Sequence, residues 1–195
     1  MSGLTIFDID DTLFHTDARI RVLNGREVVH TLTPDQYNAY ELKTGESFDF
    51  TEFLDSEIFQ RTAKPIGTVL AKASAMLKNI MQKGGGSKMI LLTARQSFND
   101  KNPFLETFRQ HGFNIDSVYV ERAGDLLLDS NAIAKGIVIR KYLDTKRYSR
   151  CRLFDDSVAN LEHFVTLGQE YPSISFEGYR VFPATGKIKK FYAPC

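Results

Sequence analysis

The sequence predicts an open α/β sandwich, in which a mainly parallel sheet is covered by helices on both faces. Short apolar runs alternate along the chain with longer segments that carry an apolar stripe at helical spacing. Strands that alternate with helices join through right-handed crossovers into a parallel sheet. A length of 195 residues and a hydrophobic content of 43% are enough for a substantial core. We therefore expect residues 1–195 to form a single domain with a small inserted flap or cap.

The first strand is predicted at residues 4–7, a short apolar run that ends at three carboxylates. Burying a carboxylate without a partner costs several kcal/mol, so the crowding of Asp8, Asp10 and Asp11 suggests a bound cation. Ligands that are all oxygens favour magnesium over zinc. In isolation, the same residues could simply begin a turn or cap a helix. Asp11 breaks the two-residue alternation of the strand, and we expect it to hold the turn.

Residues 15–63 are interpreted as an insertion that covers the site. Polar and apolar residues alternate on both sides of Asn24-Gly25, which predicts a hairpin because this pair tolerates the positive φ angles of a type I′ turn. A helix is expected within residues 33–42, and irregular structure at residues 45–53. Four aromatic residues of the insertion could either pack it onto the main domain or stack on a base: Phe48, Phe50, Phe53 and Phe59.

The rest of the chain predicts further strand-and-helix units and a terminal hairpin. The helices are expected at residues 64–83, 103–111, 131–143 and 158–167, the strands at residues 89–92, 117–121 and 151–154, and the hairpin at residues 179–192. Thr93 follows one of these strands, and Asp155-Asp156 follows another. Ligands bind beyond the carboxyl ends of the strands in such sheets. We therefore expect Asp8, Thr93 and the Asp155-Asp156 pair to converge in space.

Charge and cysteine content exclude some classes of partner and site. With 25 Lys and Arg against 24 Asp and Glu, the net charge of +1 produces no global field for nucleic acid or membranes. Cys151 and Cys195 lie far apart and outside any zinc-binding spacing, so both are predicted to be thiols. No basic leader is evident, and no apolar stretch approaches the ~18 residues of a membrane span. A cytoplasmic protein without a membrane partner is expected.

Four motifs, taken together and in order, resemble those of the haloacid dehalogenase (HAD) superfamily of aspartate-nucleophile phosphotransferases. They are the Asp8-Ile-Asp10-Asp-Thr12 segment after an apolar strand, Thr93 after a second strand, a lysine, and Asp155-Asp156 after a third. The resemblance covers about residues 4–165 of the sequence. It implies a three-layer sandwich with a parallel, Rossmann-like sheet and an inserted flap or cap.

The resemblance implies that Asp8 is the nucleophile and forms an aspartyl-phosphate. Asp10 would protonate the leaving alcohol and then activate water. The spacing agrees with these roles, because residues i and i+2 of an extended strand point to the same side and can both reach one substrate. Magnesium would be held by Asp8, the main-chain carbonyl of Asp10 and Asp156, with Asp155 acting through water. Thr93 would donate its hydroxyl to the phosphoryl group.

Thr12 and Arg95 are the predicted substrate-binding residues. Arg95 stands two residues after Thr93 and could make a bidentate contact to phosphate. The other interpretation of Arg95 is a salt bridge at the surface. The lysine of the third motif has two candidates, Lys135 and Lys141, on the same predicted helix. Lys135 is preferred because its place near the helix start lets it reach the strand-end face, whereas Lys141, two turns further on, is expected to reach solvent.

The small insertion predicts an open site, which suits a phosphate on a large substrate. The stretch from the lysine to Asp155-Asp156 also resembles the phosphatase half of phage polynucleotide kinase/phosphatase. The leading hypothesis is a magnesium-dependent phosphomonoesterase that acts on nucleic-acid ends or nucleotides. A nucleotidase and a phosphatase for phosphoproteins or small metabolites such as sugar phosphates are alternatives within enzymes. A non-catalytic binding protein is the alternative from another class.

Overall fold

The computed structural model describes residues 2–128 and 130–192, which form a mixed α/β fold. In chain order the strands are β1 (Gly3–Phe7), β2 (Phe14–His15), β3 (Ile20–Asn24), β4 (Glu27–Leu32), β5 (Glu46–Asp49), β6 (Lys64–Pro65), β7 (Lys88–Thr93), β8 (Tyr119–Arg122), β9 (Arg150–Asp155), β10 (Ser175–Phe182) and β11 (Lys187–Lys190). The α-helices are α1 (Pro34–Ala39), α2 (Ser56–Thr62), α3 (Gly67–Lys83), α4 (Asn102–Gln110), α5 (Asn131–Leu143) and α6 (Val158–Leu167).

The central sheet has six strands in the order β11-β10-β9-β1-β7-β8, and every neighbouring pair is parallel except β10 with β11. The apolar side chains of each strand alternate between the two faces of the sheet, because successive side chains of a strand point to opposite sides. Phe7 and Leu91 pack into a core cluster with residues of α3 and α4. Ile6 and Leu153 pack into a second cluster with residues of α5 and α6. The sheet thus lies between two helical layers, and the predicted α/β class is confirmed.

Three aromatic rings stack across the middle of this sheet, one from each of β1, β9 and β10. The ring centroids of Phe7 and Phe154 are 4.3 Å apart, and those of Phe154 and Tyr179 are 4.7 Å apart, with interplanar angles of 6° and 9°. The three residues are also register partners in the strand ladders. Since Asp8 and Asp155 directly follow Phe7 and Phe154, the stack aligns the ends of β1 and β9, where the carboxylates begin.

The predicted hairpin is confirmed as β3 and β4, which pair in antiparallel fashion around Gly25 at a φ of +63°. Helix α1 carries a capping box at Thr33 and ends three residues before the expected residue 42. The expectation of irregular structure at residues 45–53 was wrong, since β5 pairs with β3 and completes a three-stranded sheet. We call this small sheet together with α1 the flap. Its third strand depends on pairing with a distant segment, which local sequence patterns do not show.

Helix α2 was not predicted, although Asp55 caps it by accepting hydrogen bonds from two backbone N–H groups. It belongs to the main core, because Phe59 is fully buried against Phe14 and Phe104. Packing onto the main domain is therefore the observed role of this one aromatic of the insertion. The helix expected from residue 64 begins only at Gly67, since β6 pairs with β2.

The terminal hairpin is longer than predicted and forms part of the central sheet. Strand β10 starts at Ser175 and runs parallel to β9 before turning back into β11. Cys151 is a buried free thiol, as expected, whereas Cys195 lies outside the described residues. Within residues 2–128 and 130–192, no helix has both the length and the apolar character needed to cross a membrane.

We expect Gly124→Ala to destabilise the protein by about 1–3 kcal/mol, as overpacking does. Gly124 lies in a short 3₁₀ helix directly after β8. A Cβ there would overlap the carbonyl oxygen of Ala94 and lie 2.8 Å from the carbonyl carbon of Arg95. Gly67→Ala is the matched control, because a Cβ at Gly67 meets no atom within 4 Å. Chemical denaturation measures both, and equal stability of the two variants would contradict the prediction.

Candidate active site

Polar residues from three neighbouring strands meet at the carboxyl edge of the sheet. Asp8 and Asp10 follow β1, Thr93 ends β7, and Asp155 ends β9 with Asp156 next to it. The strands adjoin in the order β9-β1-β7 and run parallel, so their carboxyl ends share one edge. The structure therefore brings together the groups that the sequence predicted to converge.

Lys135 lies between two carboxylates at this edge. Its Nζ donates hydrogen bonds to Oδ1 of Asp8 at 2.6 Å and to Oδ2 of Asp155 at 2.8 Å. The side chain of Lys135 is 4% exposed, whereas that of Lys141 is 70% exposed and lies 3.6 Å from Glu121. Helix α5 presents Lys135 to the strand ends from its second turn, and it presents Lys141 to the surface, as expected for both.

Burial and the ion pairs have opposite effects on the pKa values of Lys135 and Asp8. Burial lowers the pKa of Lys135, but the negative charges of Asp155 and Asp8 outweigh it, so the net pKa lies above the ordinary value. Burial raises the pKa of Asp8 well above its ordinary range, and Lys135 only partly opposes this rise. Lys135 is thus held as a cation, and it is the main group in the described structure that favours ionised Asp8.

Asp155 is fully buried and held by several donors. In addition to Lys135, its carboxylate accepts hydrogen bonds from the backbone N–H of Ser157 at 3.0 Å and from Nδ2 of Asn160 at 3.0 and 3.1 Å. Ser157 also caps α6 by accepting from the backbone N–H of Asn160. The start of α6 therefore fixes the orientation of Asp155.

Asp8, Asp155 and Asp156 form a carboxylate cluster that could hold a metal ion, with one ligand oxygen of each within 4.8 Å of the others. Burial, and then the charge of Asp155, raises the pKa of Asp156 to about 7. Lys135 is the single cation hydrogen-bonded to this cluster among the described residues, so negative charge remains in excess. An all-oxygen set with excess negative charge fits a hard divalent cation. The carboxylate of Asp10 is outside this cluster.

Thr12 is fully buried, and its hydroxyl donates to Oδ1 of Asp156 at 3.3 Å. It therefore orients one member of the carboxylate cluster. Direct binding of substrate by Thr12, which the motif predicts, stays a prediction.

Arg95 makes a bidentate ion pair with Asp10. Its Nη2 donates to Oδ1 at 2.7 Å, and its Nε lies 3.0–3.1 Å from both carboxylate oxygens. The hydroxyl of Thr93 donates a hydrogen bond to Asp10 at 3.3 Å and accepts one from the backbone N–H of Arg95. The alternative interpretation of Arg95 as a surface salt bridge is thus correct in the salt bridge but not in its location, because Arg95 is only 2% exposed. Its contact with phosphate stays a prediction.

Arg95 also connects the site to the segment that follows the flap. Its Nη1 donates to the carbonyl of Phe53 at 3.1 Å, and the guanidinium lies 4.7 Å from the centroid of the Phe53 ring. Such stacking of a guanidinium on an aromatic face is favourable. The position of Phe53 is therefore tied to that of Asp10 through one side chain.

Asn160 was not predicted at the site from the sequence, and for His15 the sequence left open a place at the entrance or a plain loop position. Asn160 holds Asp155, and its signal was a polar residue three positions after the serine that caps α6. His15 has Nδ1 2.7 Å from the Asp11 carboxylate and Nε2 3.3 Å from the Pro183 carbonyl. It thus connects the loop after β1 to the turn between β10 and β11. Asp11 has a φ of +55°, in agreement with its expected place in the turn.

We expect Lys135→Met to lower the free energy of unfolding by about 3–5 kcal/mol, because it leaves buried carboxylates without their cation. Lys141→Met is the matched control on the same helix. It should change stability by about 0–1 kcal/mol, since its ion pair is exposed. Urea unfolding near pH 7.5 without divalent cations measures both values. A loss for Lys135→Met no larger than that for Lys141→Met would show that the buried ion pairs do not stabilise the fold.

We expect Asp156→Asn to weaken the binding of a divalent cation at least about tenfold, because changes to residues that only support metal ligands already cost about that much. Asparagine keeps an oxygen that can accept from Thr12 but removes the negative charge. Asp116→Asn, which changes a surface carboxylate paired with Arg109, serves as the control. Titration calorimetry measures the affinities directly. Equal affinity of Asp156→Asn and the unsubstituted protein would exclude Asp156 as a ligand.

Comparison of the sequence with models of known protein families gives no match, and comparison with curated protein sequences gives none either. The likeness to the haloacid dehalogenase superfamily consequently depends on the motif residues and their order along the chain. The geometry described above is a separate observation, because it concerns how those residues meet in space.

Proposed function

We propose that the protein is a magnesium-dependent phosphomonoesterase that works through an aspartyl-phosphate intermediate. The observation that carries the proposal is the placement of Asp8 and Asp10, two residues apart at one strand end and held by different cations. Asp8 is paired with Lys135 inside the carboxylate cluster, and Asp10 is paired with Arg95 outside it. Two carboxylates in such different surroundings suit two different roles in one reaction.

In the first step, Asp8 attacks the phosphorus atom with one carboxylate oxygen. The new O–P bond forms as the bond from phosphorus to the leaving oxygen breaks. Lys135 donates to Oδ1 of Asp8, which holds the carboxylate in place and favours its ionised, nucleophilic form. Asn160 and Lys135 hold Asp155 in place beside it.

Asp10 transfers the protons. It gives a proton to the leaving oxygen in the first step and takes one from the water that hydrolyses the aspartyl-phosphate in the second. The hydrogen bonds from Arg95 and Thr93 fix the direction of its carboxylate. A purely binding protein would have no use for this second, separately held carboxylate.

The residues that would hold magnesium are Asp8, Asp156 and the main-chain carbonyl of Asp10, with Asp155 behind them. The carboxylate cluster fits such an ion by its oxygen donors and its excess negative charge. When bound, the ion would supply positive charge to the phosphoryl oxygens. Thr93, whose hydroxyl is beside Asp10, would add a hydrogen bond.

The substrates that we propose are phosphorylated nucleic-acid ends or nucleotides. The flap is small, and the motif stretch from Lys135 to Asp156 resembles the phosphatase half of phage polynucleotide kinase/phosphatase. Sugar phosphates and phosphoproteins remain the competing substrates within the same chemistry.

We expect the protein to hydrolyse p-nitrophenyl phosphate with Mg2+, and Asp8→Asn to reduce kcat on the order of a thousandfold or more, because the nucleophile is lost. The control is Asp17→Asn, an exposed carboxylate, which should keep the rate. Release of p-nitrophenolate measures the activity. A wild-type rate in Asp8→Asn would overturn the nucleophile assignment. Failure of the unsubstituted protein to release product would favour the binding protein.

A further inference from the structure

A cleft of about 520 Å³ lies between the flap and the main domain, and it opens on Asp10 and Arg95. One wall is built from flap aromatics and the adjacent segment, and the opposite wall includes Gly124, Leu127, Leu128 and Asn131. The volume falls in the range of cavities that bind small ligands. We call this space the aromatic cleft.

The flap wall is unusually aromatic for so small a unit. The buried core of the flap contains just three fully packed aliphatic residues among those described: Ile20, Val22 and Leu32. Phe48 and Tyr37 pack on this core with their rings 4.8 Å apart, and both also line the cleft. Phe50 stays 39% exposed on the cleft side, although it contacts Tyr37 at 5.4 Å. An exposed ring on an aromatic wall is a surface on which a planar group can stack.

The opposite wall contains a leucine in an unfavourable backbone conformation. Leu127 has φ 52° and ψ 40°, the left-handed region that bulky side chains avoid. It is 76% exposed, and its neighbours Leu126 and Leu128 are also exposed. Burial in the core therefore does not account for the strain. Leu127 and Leu128 line the cleft, so their apolar side chains face the aromatic wall across the cleft.

The polar groups of the aromatic cleft are few and suit a base edge. Among the described lining residues, the charged types are Asp10 and Arg95, which are paired with each other. Gln96 and Asn131 add two amide side chains, which make no hydrogen bond to another described residue. Amides of this kind can pair with the donor and acceptor edge of a nucleobase. Among the described lining residues, the cation that a second acidic group could meet is Arg95, which is already paired with Asp10.

We infer that the aromatic cleft binds the base of a nucleotide, free or at the end of a polynucleotide, while its phosphate group lies next to Asp8. This inference rests on the proposed phosphatase function. Asp10 must reach the leaving oxygen, so the leaving group has to begin at Asp10, where the cleft opens. A planar base stacked against Phe50, with its edge toward Gln96 or Asn131, uses each of these features. The nucleoside could belong to a free nucleotide or to the last residue of a polynucleotide.

The kinetic test compares substrates that differ in the leaving group alone. We expect kcat/KM for nucleoside monophosphates to exceed that for ribose 5-phosphate and for hexyl phosphate, an apolar but non-planar control. Phe50→Leu keeps an apolar side chain but removes the ring, and should lower the nucleotide value about tenfold to a hundredfold. Phe50→Tyr should restore it. Tyr119→Ala, an exposed ring outside the cleft, should leave it unchanged.

Leu127→Asn provides a second variant that is not expected to harm folding, since asparagine tolerates the left-handed region. Its melting temperature should equal or exceed that of the unsubstituted protein, while kcat/KM for nucleotides falls. A fall in melting temperature together with unchanged kinetics would indicate that Leu127 serves the fold alone. That outcome would remove it from the cleft proposal.

A binding test separates this inference from the proposed chemistry. Adenosine carries no phosphate, and we expect NMR titration to show binding that ribose lacks and that Phe50→Leu weakens. If no phosphate ester is hydrolysed but adenosine binds in this way, the phosphatase proposal fails and the base site stands. If esters are hydrolysed while Phe50→Leu changes neither nucleotide kinetics nor adenosine binding, the base site is overturned. Equal rates with hexyl phosphate and nucleotides would overturn it as well.

The same assay identifies the source of the base. Comparison of 3′- and 5′-phosphorylated oligonucleotides with the matching mononucleotides shows which form is turned over faster. Either preference supports the base site, provided that Phe50→Leu lowers the preferred rate. A preferred oligonucleotide whose hydrolysis is insensitive to Phe50→Leu would show that its end binds elsewhere, and would contradict the inference.

Discussion

The buried interaction of Lys135 with Asp8 and Asp155 is the constraint on which the site depends. A lysine out of contact with water is tolerated because two carboxylates accept from it at 2.6 and 2.8 Å. The three residues come from β1, β9 and α5, so the ion pairs can form only when these elements are in register. The stacked rings of Phe7 and Phe154, one residue before each carboxylate, maintain that register through apolar contacts.

Around this triad, the charges are divided into two groups with different surroundings. The carboxylate cluster at Asp156 retains excess negative charge and suits a divalent cation. Asp10 lies outside this cluster and is paired with Arg95, which also contacts the carbonyl and the ring of Phe53. A movement of the segment at Phe53 would therefore disturb the carboxylate that we propose as the proton carrier. The aromatic cleft and the Asp10 carboxylate are thus connected through this one guanidinium.

Much of the main domain could be predicted from local patterns. The bounds predicted at residues 131–143 and 158–167 agree with α5 and α6, and a serine side chain caps the start of each helix. Strands β1 and β7 were visible as short apolar runs. The prediction failed for β5 and β6, which are short and pair with distant segments, and for α2, whose burial of Phe59 depends on α4. Short elements have little periodicity, so tertiary contacts decide their conformation.

The sequence by itself determined the class of the fold and the set of polar residues at the strand ends, since the alternation of strands and helices dictates that parallel carboxyl ends share an edge. It also indicated Lys135, through its position near a helix start. The tertiary structure alone decided that Lys135 bridges two carboxylates, that Arg95 pairs with Asp10, and that Thr12 supports Asp156. The same holds for the aromatic cleft, whose walls are separated by about 75 residues of chain. Long side chains can reach several partners, and the packing of the surrounding elements selects among them.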